Sequence, residues 1–382
     1  TWASQWRRSR SRVPDRPLYP ARRRHLDALT GPLGIWQHAR GIVPDESFGA
    51  CTDDVSRALT VDLLHARVLG WEMVSGSARR SMVFLVAALN PATGSFRNFR
   101  GADGAWLDDE GSQDTQGRAL LAIGTAGRDA PDVALRDEAQ TLFQAALPAA
   151  ARLTSPRAVA SAILACDAAL SAGMVGETER VFALLVGRLR KAFSYLDLDG
   201  DWPWPEETLT YENAVLPHAL IVGSRRLSDV RLRSVGLHVL DWLIEVQTSR
   251  RGTFTPIGND GWWTHGGTRS QFDQQPIEAT ATILAAAAAY ESTQDAGYRR
   301  SAEAAYAWFL GDNDAGLAVA DVATGGCRDG LSADHVSENQ GAESTLMWLT
   351  ALETMRALRT RAMPLRGPRV LRTAPVLVEV RA

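Results

Sequence analysis

Six times along this chain a cluster of polar residues opens a stretch that then turns small and apolar. The clearest instance is Phe272-Asp273-Gln274-Gln275-Pro276-Ile277-Glu278-Ala279, which runs on into alanines up to Tyr290. Asp273 is a good N-cap there, and Pro276 falls in a first helical turn, where its missing N–H costs little. Gln274 and Glu278 are four apart and share a helix face. Ala279 to Ala289 is almost wholly apolar, as expected of a helix buried on most sides. Polar groups opening such a helix need partners or a wet cavity. The same layout recurs near residues 53, 114, 155, 212 and 339.

Between these starts lie helices of amphipathic pattern. The spacing predicts about eleven helices: roughly 52–70, 75–89, 115–126, 132–147, 155–171, 175–195, 211–224, 229–248, 273–290, 297–310 and 338–358. Ser155-Pro156 forms an N-cap and N1 pair, and Pro217 is expected to kink its helix. Almost no strand is expected, and 34–48 reads as a loop. Long loops rich in Trp, Gly and Asp precede five of the six polar starts. This is a helical-hairpin repeat. The fold class it predicts is all-α: an (α/α)6 barrel with six inner helices opening on one shared mouth. The segment near 22–30 is the candidate for the twelfth, outer helix. The expected domains are 1–30, Arg- and Pro-rich; 31–358, the barrel; and 359–382, an Arg- and Pro-rich tail with a short Val-rich piece of strand character.

With 382 residues and 45% hydrophobic content the chain can bury a large core. No run of 18 apolar residues marks a membrane span, and no signal-peptide pattern is present. Cys51, Cys166 and Cys327 are odd in number and far apart, so a reduced, cytoplasmic setting is expected. The net charge of −3 conceals an asymmetry: residues 1–24 carry +7 and residues 356–382 carry +6, leaving −16 between them. Arg-rich ends of this kind read as solvated tails, and an acidic body argues against nucleic acid as partner. Lys191 is the only lysine, so Schiff-base chemistry has one candidate. No metal-ligand spacing and no phosphate-loop or dinucleotide pattern occurs, so no metal and no cofactor is expected. The oligomeric state is left open.

The mouth so assembled is acidic and aromatic. Its carboxylates are Asp53, Asp54, Asp108, Asp114, Glu206, Glu207, Glu212, Asp273, Glu278, Glu338 and Glu343, and its aromatics include Trp106, Trp202, Trp204, Tyr211, Trp262 and Trp263. Sugars suit this combination, because Trp faces stack on pyranose C–H faces while Asp, Asn, Gln and Arg grip hydroxyls. Cleaving a glycosidic bond needs one carboxylic acid to protonate the leaving oxygen and a second carboxylate to activate water or attack. Glu207 and Glu343 are the first choice for that pair, with Asp114 and Asp273 as alternatives. Asp53, Asp54, Trp106, Trp204, Tyr211, Trp262, Trp263, Gln275, Glu278, His335, Asn339 and Gln340 are the candidates for binding an oligosaccharide or glycoside substrate. Each has a structural rival. Asp53, Asp114 and Asp273 serve equally well as N-caps. Trp202-Pro-Trp204-Pro is also plain loop packing. His38, His265 and His335 read as hydrogen-bonding residues rather than metal ligands. A Glu within a buried helix, as at 343, is seldom filler, since an unpaired charge there is costly. An inverting mechanism is expected, since opposed inner helices make a wide mouth. Inverting carboxylates stand roughly 6.5–9.5 Å apart, against about 5–5.5 Å in retaining enzymes.

Several runs together resemble a known group: Thr52-Asp-Asp-x-x-Arg-Ala-Leu59, Trp106-Leu-x-x-x-Gly-Ser-x-Asp114-x-x-Gly-Arg-Ala, Asp201-Trp-Pro-Trp-x-Glu206, the Phe272 run, and Asn339-Gln-Gly-Ala-Glu-Ser-Thr. The group comprises bacterial proteins labelled glycosyltransferases or glycosidase-related. It is similar to the six-hairpin, (α/α)6-barrel carbohydrate-active superfamily, and the resemblance spans about Gly31 to Leu358. It implies a glycoside hydrolase, with phosphorolysis and glycosyl transfer as variants. No βαβ pattern precedes the helices, so the chain shows no nucleotide-sugar domain of its own. A sugar epimerase or isomerase on the same barrel is the rival enzyme class, and it needs His38, His265 and His335 to converge. The non-enzyme rival is a glycan-binding module that serves a separate glycosyltransferase.

Overall fold

The computed structural model describes residues 15–362. The chain enters through α1 (Arg24–Leu29) and then alternates inner and outer helices. α2 (Thr52–Leu69), α4 (Gln113–Asp129), α6 (Pro156–Ser171), α8 (Val215–Leu227), α10 (Pro276–Thr293) and α12 (Ala342–Ala362) form the inner ring. α3 (Ser75–Ala88), α5 (Val133–Ala150), α7 (Glu177–Phe193), α9 (Val230–Val246) and α11 (Ala296–Phe309) lie outside it. Each inner helix packs on the next and α12 packs back on α2, which closes the ring. Each outer helix packs on the inner helix before it, and α1 packs on α12 as a short sixth outer element. The expected (α/α)6 barrel is the observed fold, and all six expected inner starts fall within three residues of the observed ones.

Residue size explains the two layers. Inner helices must approach closely, and small residues permit it: a Cβ at Gly117 of α4 would lie 2.9 Å from the Ala158 carbonyl oxygen of α6, and one at Gly124 would lie 2.8 Å from that of Ala165. Outer helices carry one apolar stripe. On α7, Val181, Phe182, Leu185, Val186, Leu189 and Phe193 are buried while Arg180, Leu184 and Arg190 face out.

Four expectations are corrected. Residues 34–51 are a hairpin, not a loop: β2 (Gly34–Arg40) pairs antiparallel with β3 (Val43–Cys51). β1 (Thr30–Gly31) flanks β2, and β4 (Phe99–Arg100) flanks β3. Burial along β2 does not alternate, since Ile35 and Trp36 are both buried, so the period-two signal is missing. The helix at Pro217 begins only at Val215, so this proline sits in a first turn and kinks nothing. Asp53, Asp114 and Asp273 are not N-caps. The cap positions are held by Cys51, Ser112 and Gln275, and Ser112 accepts the Thr115 N–H. Gln274 precedes α10 and so shares no helix face with Glu278; its side chain accepts the Trp308 indole N–H at 2.7 Å in the core.

Residues 16–24 do not hang free. Arg356 and Arg359 of α12 donate to the carbonyls of Tyr19 and Arg16, and Tyr306 of α11 donates to that of Pro17. Arg23 is buried and pairs with Asp62 of α2 at 2.7 Å. The arginines at 7, 8, 10 and 12 and the Val-rich piece after 362 lie outside the described residues. Among the described residues no helix is long and apolar enough to cross a membrane.

Candidate active site

All six inner helices start at the same end of the barrel, so six positive dipole ends converge there. Carboxylates in or near their first turns, Asp53, Asp54, Asp114, Glu278 and Glu343, answer that field. Two adjoining cavities open at this end. One, of about 340 Å³, is lined by Ser112, Asp114, Arg118, Tyr211, Asn259, Trp262, Gln275, Ile277 and Glu343. The other, of about 300 Å³, is lined by the hairpin residues Gln37 and His38, by Cys51, Asp53, Asp54, Arg57, Asn98 and Phe99, and by Asp329, Gly341, Ser344, Gln275 and Glu343. Gln275 and Glu343 border both cavities.

Arg57, Arg118 and Arg157 organise these walls; Arg57 and Arg157 are buried and Arg118 is half-buried. Arg57, 8% exposed, donates Nη1 to Asp54 at 3.2 Å and pairs through Nη2 with Glu343 at 2.7 Å. Arg118 joins Asp53 (3.2 Å), Asp114 (3.5 Å) and Glu212 (2.9 Å). Arg157 donates to both oxygens of Glu206 at 2.8 Å, to the Tyr211 carbonyl and to Asn213, and its guanidinium lies over the Tyr211 ring at 4.8 Å. Tyr211 donates its hydroxyl to Asp114 at 2.6 Å; burial and this bond push the phenol up to about 12. Below the mouth, Asn213 donates its backbone and side-chain N–H groups to Glu278. Burial pushes the Glu278 carboxyl up to about 7. Burial also pushes Asp54 up to about 6 against the pull of Arg57, and Asp329 to about 6 against the Gly341 N–H bond.

The predicted residues divide into three groups. Asp53, Asp54, Asp114, Tyr211, Trp262, Gln275 and Glu343 meet at the two cavities. Glu278, Asn339 and Gln340 lie behind the walls: Asn339 holds the Ala39 N–H and the Asp329 carboxylate, and Gln340 is 2% exposed. Asp273 accepts from Asn259, a wall residue, at 3.2 Å. The remainder stand apart. Glu207 is exposed and its carbonyl accepts the His265 N–H. Trp204 is 1% exposed, packed on Phe193 and Trp242, and presents no ring face to the mouth. Trp263 stacks on Trp242, and Trp106 packs edge-on to Phe84. His335 is exposed beside Asp334, and His265 stacks on Trp202, so of the three weighed histidines His38 alone borders these two cavities.

The arginines, Asn98, Asn259 and Asp329 were not singled out from the sequence. Arg57 and Arg118 did carry a signal: each follows an aspartate of its own inner helix by three or four residues, Asp54 and Asp114.

No protein-family model matches this chain, and no curated protein matches it. Solved structures do. A sugar epimerase from a ruminal bacterium superposes with a TM-score of 0.68 at 12% identity, over 87% of this chain and 93% of the other. Cellobiose 2-epimerase from Spirochaeta thermophila gives 0.65 at 13%, over 87% and 92%. An inactive variant of an α-1,6-mannanase from Salegentibacter, in complex with α-1,6-mannotetrose, gives 0.60 at 11%, over 88% and 96%. The fold is therefore that of the (α/α)6-barrel carbohydrate-active enzymes, a class holding both epimerases and glycosidases. Identities this low carry the fold and not the reaction.

Proposed function

We propose that this chain cleaves a glycosidic bond by paired-carboxylate catalysis, on an oligosaccharide or glycoside lying across the two cavities. The observation that carries the reading is the position of Glu343. It borders both cavities, its side chain is 43% exposed, and it shares one guanidinium with the buried Asp54. A sugar bond over Glu343 has one ring in each cavity. Asp54, held protonated by burial up to about 6, is the proton donor in this reading, and Glu343, oriented by its 2.7 Å pairing with Arg57, activates water. Asp114, Tyr211, Arg118 and Trp262 bind the ring in the first cavity. Glu207, the partner expected from sequence, borders neither cavity, and Asp54 takes its place. The expectation of inversion rests on opposed inner helices, whereas Asp54 and Glu343 stand on adjoining ones and share one guanidinium, so that ground does not extend to this pair; proton NMR of the first-formed anomer tells inversion from retention.

The test is a product screen over α- and β-linked manno-, gluco- and galacto-oligosaccharides, with and without phosphate. Wild type is expected to release a monosaccharide or sugar phosphate, and Glu343→Gln to lose about a hundredfold or more in kcat. Glycan binding by calorimetry without turnover would instead indicate a glycan-binding module. Neither turnover nor binding removes sugars from the account.

A sugar epimerase or isomerase is the second reading. It is favoured by the likeness to epimerase structures and by His38, which lines the second cavity and receives a hydrogen bond from Asn339. Interconversion of free sugars that survives Glu343→Gln and fails in His38→Ala would select it.

A further inference from the structure

Beneath the mouth the barrel axis is hollow. A third cavity, of about 380 Å³, is lined by the inward faces of all six inner helices. Arg118 and Glu212, paired at 2.9 Å, stand between it and the mouth, and Glu212 borders it. Its walls are largely Leu, Val and Ala, including Leu63, Leu121, Leu164, Val215 and Leu284. The alanine run of α10 makes the space, because Ala281, Ala287 and Ala288 face the axis where larger side chains would fill it. Protein interiors are otherwise close-packed, and ligand pockets hold roughly 300–1,000 Å³.

Two features describe what fits. The far opening is ringed by charges at the ends of the inner helices, and these are paired from helix to helix. Arg67 meets Asp129 at 2.8 Å, Arg225 lies between Asp167 (3.5 Å) and Glu291 (3.8 Å), and Glu291 also meets Arg361. Arg67, Arg225 and Arg361 are more than half exposed, so the cavity reaches solvent past this collar. The collar is balanced in sign and favours no ion. Inside, His218 lines the wall on the same α8 face as Val215, Val222 and Arg225. Its ring has no hydrogen-bond partner among the described residues. Burial and Arg225 push its pKa down to about 4, so at neutral pH it offers one donor and one acceptor.

We infer that the axial cavity is a second binding site, for a neutral amphipathic molecule with an apolar body along the barrel axis and a hydroxyl at His218. It stands independently of the reaction at the mouth.

The experiment is calorimetric titration of the full chain with 1-octanol and with toluene. Saturable binding of one molecule of 1-octanol per chain is expected, with a rise in Tm that follows ligand concentration. Ala287→Trp fills the cavity and is expected to abolish binding of both probes while the circular dichroism spectrum is unchanged. His218→Phe, made in case the tryptophan variant does not fold, is expected to keep toluene and to weaken 1-octanol about three- to tenfold, the worth of one hydrogen bond. A folded wild type that binds neither probe saturably overturns the inference, as does unaltered 1-octanol binding in folded Ala287→Trp or in His218→Phe.

Discussion

Arg57 holds Glu343 at 2.7 Å from beneath, so the one carboxylate bordering both cavities is fixed by a side chain that is itself 8% exposed. The same guanidinium holds Asp54, which couples the charge states of the two acids. Arg57→Leu leaves both without their cation. Losing one partner of a fully buried pair costs about 3–5 kcal/mol. Because the Glu343 side chain is 43% exposed, we expect about 2–3 kcal/mol, read by urea denaturation. An unchanged midpoint would show that the pair does not hold the mouth together.

Proton donation by Asp54 sets the pH dependence. Only the protonated acid donates, so kcat/KM should fall as pH rises through about 6, where Asp54 ionises. Arg57 favours the ionised form, so in Arg57→Leu the falling limb should move to higher pH and any residual rate should persist further. A flat profile from pH 5 to 8 would take Asp54 out of the proton-donor role.

Glu278 makes a separate prediction about stability. It is 1% exposed, and burial raises its carboxyl from an ordinary 4.5 to about 7. A raised carboxyl favours the folded state fully below the unfolded value, and that contribution is lost as pH rises through the folded one. Wild type should therefore lose about 3 kcal/mol between pH 4.5 and 7 from this group. Glu278→Gln should remove that dependence. Thermal unfolding of both proteins across this range measures it, and parallel curves would refute the assignment.

Two tryptophans should behave in opposite ways. Trp204 is a core residue, so Trp204→Ala should cost about 3–5 kcal/mol of stability. Trp262 lines the first cavity, so Trp262→Ala should leave stability near wild type and weaken glycan binding measured by calorimetry. Equal loss of stability in both would mean that Trp262 is packing as well.

The repeat was legible because it is local. A helix buried on most sides must be small and apolar along its length, and its polar start must find partners, so six such starts appear in the residue order itself. Asp53, Asp54, Asp114, Tyr211 and Glu343 could be picked out for the same reason: each sits at or just before an inner-helix start. The hairpin at 34–51 escaped because its burial does not alternate, and its walls at Gln37 and His38 meet the site only through pairing with distant chain.

By itself, then, the sequence determined the alternation of inner and outer helices, the closing of six hairpins into a barrel, and a mouth lined with carboxylates. Those follow from size and polarity read along one helix at a time. Only the tertiary structure decided that Glu207 and Trp204 stand away from the cavities while Arg57 brings Asp54 to Glu343, and that an unfilled axis lies below. These depend on how helices far apart in the chain turn toward one another, a rotation fixed by packing across the ring rather than by any residue's neighbours in sequence.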